Sequence, residues 1–247
     1  MNLQVVPPPC CYFTFSIDVA ATLDVYCDEG DNVMLQKLEG LKDKTYAGYC
    51  VAVEGRVDEH NKFHTAYIRP VQQGLTKPYS RKPHHARPSM CIPIFPETTH
   101  PRSREPLELS KLLPWKNCYH PTRYDLYARV PTEWRDYSQS PRVLGFSPQL
   151  VKPLAEDLRY NRLLQSGLDE DRVLRILDGQ EPAPDTDDTS ETDNQPCQSF
   201  LANIPGSEEP KDDDMFMPVL RIDHVLSNVP EISDPSQLWE DRDLFEE

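Results

Sequence analysis

The sequence predicts a mainly β chain: one modest β core, then short helices, then a disordered acidic tail. Three observations carry this reading. Short runs between residues 12 and 144 alternate aromatic or β-branched residues with others, the period of a half-buried strand rather than a helix. The 247 residues include 25 prolines against 9 glycines, and proline favours edge strands, turns and extended connections because it lacks an N–H and fixes φ. From residue 178 onward, twenty Asp and Glu face only Lys211, Arg221 and Arg242, a composition too charged to pack a core.

Taken in order, residues 12–27, "YFTFSIDVAATLDVYC", read as one or two strands. A turn over "DEGDNV" and a short helix over "MLQKLEGLKDK" follow. Residues 45–71 form a β-hairpin: Tyr49, Val51 and Val53 alternate with Cys50, Ala52 and Glu54, a polar turn follows at 58–61, and Phe63, Thr65 and Tyr67 resume the alternation. Residues 76–106 are too rich in proline for a regular helix; "SMCIPI" fits a short edge strand behind the basic loop "TKPYSRKPHHARP". "YDLYARV" is a further strand. Two helices follow, one with Leu154, Leu158 and Leu163 along its face and Gly167 as its stop, the other capped by Asp169 with Val173, Leu174 and Leu177 on one side. The organisation expected is N-terminal strands over 1–44, the β core over 45–148, a helical extension over 149–179, a disordered acidic linker over 180–214, and a C-terminal segment over 215–247 that docks or stays mobile.

The bulk chemistry narrows function by exclusion. Seven cysteines are scattered without pairing, and "MNLQVVPPPCCYF" carries neither a basic n-region nor an apolar h-region, so free thiols in a reducing intracellular compartment, the cytoplasm before the nucleus, are expected, with no membrane partner. His84, His85, Cys91, His100, Cys118 and His120 lack the paired spacing of a zinc site, and no phosphate-binding glycine loop, nucleophile elbow or H-E-x-x-H is present. No metal, cofactor or catalytic residue is assigned.

The net charge of −15 hides a basic middle between residues 42 and 145. Small five-stranded barrels bind single-stranded nucleic acid by stacking bases on aromatic rings while Lys and Arg track the phosphates. The side chains suited to this are Tyr49, Arg56, Phe63, Tyr67 and Arg69 on the hairpin, Arg81 and Arg87 in the basic loop, and Arg129, Trp134, Arg135 and Arg142 beyond it. Each competes with an ordinary core role.

The order "AGYCVAVEGR", "PYSRKPHHARPSMCIPI" and "YDLYARVPTEWRDYSQSPRVLG" resembles the second cold-shock barrel of RNase II/RNase R-type exoribonucleases over roughly residues 45–178. The matching positions are Gly48, Val51, Val53 and Arg56, then Pro78, Arg81, Pro88, Ile92 and Ile94, then Trp134, Ser138, Pro141, Leu144 and Gly145. The resemblance implies a small OB/cold-shock-like β-barrel that guides single-stranded RNA, with Trp134 at its mouth and Arg129, Arg135 and Arg142 toward the backbone. The family cuts RNA with magnesium held by a "D-P-x-x-x-x-D-x-D-D" run. Here "DPSQLWEDRDLF" keeps Asp234, Pro235 and Asp243 but offers Glu240 and Arg242 at the others, so magnesium is expected only if an intact catalytic domain exists elsewhere. The alternatives are an N-terminal part of an active exoribonuclease, or an adaptor whose acidic end docks a protein partner through Trp239 and Phe245.

Overall fold

In a computed structural model, the structure describes residues 3–26, 44–77, 87–122, 125–144, 148–182 and 217–246. The mainly β character holds. The strands are β1 (Leu3–Gln4), β2 (Tyr12–Ile17), β3 (Tyr46–Val53), β4 (Phe63–Gln73), β5 (Cys91–Pro93), β6 (Cys118–Pro121), β7 (Leu126–Pro131), β8 (Arg135–Asp136) and β9 (Leu220–Asp223). The helices are α1 (Val19–Tyr26), α2 (Pro148–Gln165), α3 (Glu170–Leu177) and α4 (Pro235–Glu246). Two compact units emerge, residues 1–161 with 217–247, and residues 162–216.

In the first unit, described strands form a seven-stranded sheet in the order β5-β6-β4-β3-β2-β9, with β7 on β4, and a separate β1–β8 pair. The β3–β4 hairpin forms as its alternation predicts, with a register shift between Cys50 and Ala52. Gly48 is needed there: a Cβ would lie 2.7 Å from Ile68 and 2.8 Å from Phe15. β7 and the chain entering β9 meet at one parallel bridge, Arg129 with Val219, where Arg129 N donates to Pro218 O at 2.8 Å. The sheet therefore curls until two edges touch at a point, and the ladder that would close a barrel is not formed among the described residues.

Two expectations change, and residues 95–118 form an insertion between β5 and β6. Of the stretch expected as strands, the described residues 12–26 are one strand and one helix, because Asp18 caps α1: its carboxylate accepts from Ala21 N at 3.1 Å. The sheet is not confined to 45–148, since β2 and β9 come from either side of that range and pair with each other. The insertion at 95–118 has a packing role. One apolar cluster, around Phe13, Phe15, Ile68 and Val130, covers one sheet face, while Leu113, Trp115 and Leu226 join Tyr12, Tyr49 and Val71 on the other. Trp115 Nε1 donates to Val229 O at 2.9 Å, tying the insertion to the C-terminal segment. Both faces being covered, the central strands read as nearly continuous buried runs.

The edge strand over "SMCIPI" forms as β5. α2 packs through Leu154, Asp157, Tyr160 and Asn161, with Leu158 only half-buried. The buried acid on this face is matched by Arg104 of the insertion, at 2.8 and 2.6 Å from its two oxygens, and by Thr122 at 2.6 Å. In the second unit, Gly167 stands at φ +86° after α2 and Asp169 caps α3, accepting from Arg172 N at 2.9 Å. The expected helix after residue 30 and most of the acidic linker lie outside the described residues.

Candidate nucleic-acid interface

Of the eleven nucleic-acid candidates, the ten that are described separate into three groups. The first is structural. Tyr49 is buried against Tyr12, ring centroids 5.4 Å apart, with its hydroxyl on Cys10 Sγ at 3.5 Å. Arg69, only 1% exposed, grips Asp125 through Nε at 2.6 Å and Nη2 at 2.8 Å, and Tyr67 donates to the same carboxylate at 2.8 Å. Burial alone would draw the Arg69 pKa down, and the Asp125 charge outweighs it and raises it. These three side chains belong to the interior: their hydroxyls and guanidinium are engaged by internal partners.

Next to this cluster, Tyr12 Oη lies 2.7 Å from His120 Nε2, and His120 Nδ1 lies 3.1 Å from Pro70 O. A carbonyl only accepts, so Nδ1 carries the hydrogen and Nε2 accepts from the tyrosine. Burial, then the Arg69 charge, lowers the His120 pKa to about 3, and the ring stays neutral.

The second group is dispersed. The Arg129 guanidinium lies over the Tyr26 ring at 5.2 Å. Arg135 donates to Ile222 O at 2.7 Å and pairs with Glu133. Arg142 is half-buried, its backbone bridging to Cys11. Arg87 lies over Tyr160 at 4.7 Å. The three arginines expected to face one phosphate backbone instead hold three separate seams. Arg81 lies outside the described residues.

The third group is Arg56, Phe63 and Trp134, of which Arg56 and Trp134 line one groove. Trp134 is 62% exposed. It lines an open surface groove of about 470 Å³ with Val5, Arg56, Val57, Glu59 and His60. Asp58 completes the wall. One side is the β3–β4 turn and the other the loop from β7 to β8. The turn forms because Gly55 takes φ +68°, where a Cβ is disfavoured, and because Asp58 folds back on it, accepting from His60 N at 2.9 Å.

His64 joins the two walls. Its Nε2 accepts from Asp58 N at 2.9 Å, and its Nδ1 lies 2.9 Å from Thr132 Oγ1. The amide can only donate, so the hydrogen sits on Nδ1 and goes to Thr132. Thr132 N also donates to Lys62 O at 3.2 Å, and Glu133 N to Val5 O at 2.9 Å. Trp134 is thus presented by a loop fixed at two points. Phe63 is half-buried beneath Lys62, whose Nζ is 5.0 Å from the ring centre. Val5, Val57, Glu59, His60 and the positioning His64 were not singled out from sequence; turn residues look alike there, and His64 sits in an ordinary strand alternation.

The adaptor reading loses its anchor, because Trp239 is 6% exposed and packs in the core; the Phe245 side chain lies outside the described residues. Acids of the "DPSQLWEDRDLF" run are engaged in the fold. Asp234 accepts from Ser236 N at 3.0 Å and meets Lys77 Nζ at 2.7 Å, and Asp241 takes Lys44 Nζ at 2.6 Å and the Tyr46 hydroxyl at 2.8 Å. Among the described residues no three His, Cys, Asp or Glu are placed to hold a metal ion, and no helix is long and apolar enough to cross a membrane. Comparison with family models, curated proteins and solved structures returned no match for this chain.

Proposed function

We propose that this protein binds single-stranded RNA at the Trp134 groove and holds it without cutting it. The observation that carries the reading is one exposed tryptophan beside an arginine in a preformed groove at the end of the β3–β4 hairpin. A base stacked on such a ring contributes about 1–3 kcal/mol. Arg56 serves the adjoining phosphate, and Lys62 adds charge at the rim. The curled sheet is, on this reading, the barrel-like scaffold of an OB or cold-shock domain, and Asp234 and Asp241 serve the fold rather than a magnesium ion.

The test is a titration of fluorescein-labelled single-stranded 12-mer RNA with the full chain at several salt concentrations. Residues 217–247 must stay, since β9 and Trp239 belong to the sheet and its core. Binding that weakens with salt and falls about tenfold or more in Trp134→Ala supports the proposal. No binding at low salt overturns it.

A further inference from the structure

The groove contains a group that a surface made only to follow phosphates would avoid. Glu59 lines it, and among the described residues its carboxylate has no hydrogen bond or ion pair. Its neighbour Asp58 is already engaged, with one oxygen on His60 N. A free carboxylate on an exposed turn repels a polyanion, so its presence beside Trp134 and Arg56 calls for a ligand that offers donors at that point. Nucleobases do so along their Watson–Crick edges, which single-stranded RNA leaves open.

We infer that the groove selects guanine, with the base stacked on Trp134, the Glu59 carboxylate accepting from its N1–H and N2 amino group, and Arg56 serving the phosphate. This rests on the RNA-binding reading above. The chemistry of the four bases decides among them. Guanine presents two neighbouring donors on that edge, which a carboxylate with its two oxygens accepts together. Adenine and cytosine present one amino group beside an acceptor nitrogen that repels the second oxygen. Uracil sets one N–H between two carbonyls. The turn backbone that carries Glu59 is set by Gly55 and the Asp58 fold-back, and the His64 contacts to Asp58 and Thr132 tie it to the loop that carries Trp134.

The experiment compares four labelled 12-mers on the full chain: all-uridine, and the same strand with three scattered guanines, adenines or cytosines, too sparse for quadruplexes. The guanine strand is expected to bind about tenfold tighter than all-uridine. Glu59→Gln is expected to bring that ratio within twofold, chiefly by weakening the guanine strand. Trp134→Ala is expected to weaken every strand. Equal affinity for the four strands, a preference for adenine or cytosine, or a guanine preference that survives Glu59→Gln overturns the base assignment and leaves RNA binding intact. Failure of all four strands at low salt overturns both, and capture of a Lys/Arg-rich peptide in the same assay would then reassign the groove to a cationic protein segment.

Discussion

The Arg69 cluster and the Trp134 groove are built from the same kinds of side chain: an arginine, aromatic rings and a carboxylate, all in the first unit. At the cluster, Asp125 lies within 2.6 Å of Arg69 and takes the Tyr67 hydroxyl as well, so charge and donors are consumed internally. At the groove, Trp134 stays open, Asp58 is turned onto its own turn, and Arg56 has no ion pair among the described residues. What separates scaffold from interface is therefore not residue type but whether an acid is positioned to satisfy the arginine. Asp125 sits just before β7, opposite the strand that carries Arg69.

That contrast can be broken most severely at the buried end. Arg69→Met leaves Asp125 enclosed without its partner and is expected to cost about 3–5 kcal/mol of stability in urea unfolding. Arg56→Ala, at the exposed end, is expected to stay within about 0.5 kcal/mol of the parent. Comparable losses from both would abolish the distinction.

Acid sharpens the buried side further. His120 has a folded-state pKa of about 3 against an ordinary 6.5, so between these values the unfolded chain carries the extra proton and stability rises with pH. Its contribution is fully present above the unfolded value and declines as pH falls from 6.5 toward 3. Lowering pH from 6.5 to 5 is expected to remove about 2 kcal/mol through this group. Urea unfolding across that range should show a flatter pH slope in His120→Gln than in the parent. An unchanged slope would mean that His120 charges freely in the folded protein.

On the exposed side, Trp134→Ala is expected to lose about 1–3 kcal/mol of RNA affinity with stability held. The smallest effect is that of Arg56→Ala. Its salt dependence of RNA binding should drop by about 0.7 in the log–log slope, the share of one phosphate contact on a single strand; no change in slope would place Arg56 away from the phosphates.

Much of the fold was legible because it is local. The β3–β4 hairpin announces itself by alternation around a polar turn, β5 by an apolar run among prolines, and α2 and α3 by Gly167 and the Asp169 cap. What was not legible depends on partners far along the chain. The acidic C-terminal segment supplies β9 to pair with β2 across about two hundred residues, and periodicity carries no information at that separation. The closed barrel is what the family resemblance implies, whereas among the described residues β7 and the chain entering β9 meet through a single bridge. Of the candidate site, Arg56 and Trp134 stand out in the sequence because basic and aromatic residues are interleaved through the middle of the chain and both positions match the family pattern. Tyr49 and Arg69 were assigned to it as well because sequence shows a basic strand but not the acid facing it. Arg129, Arg135 and Arg142 share one stretch of chain, yet each leaves it toward a different neighbour.

The central claim is that Trp134 is the ring on which RNA stacks, and intrinsic fluorescence reads it directly. The chain has three tryptophans, and Trp115 and Trp239 are buried while Trp134 is exposed. Titrating the full chain with unlabelled single-stranded RNA at low salt is expected to quench emission saturably, with the quenching lost in Trp134→Leu and reversed by added salt. Saturable RNA binding by an independent readout with Trp134 emission unchanged would contradict the account.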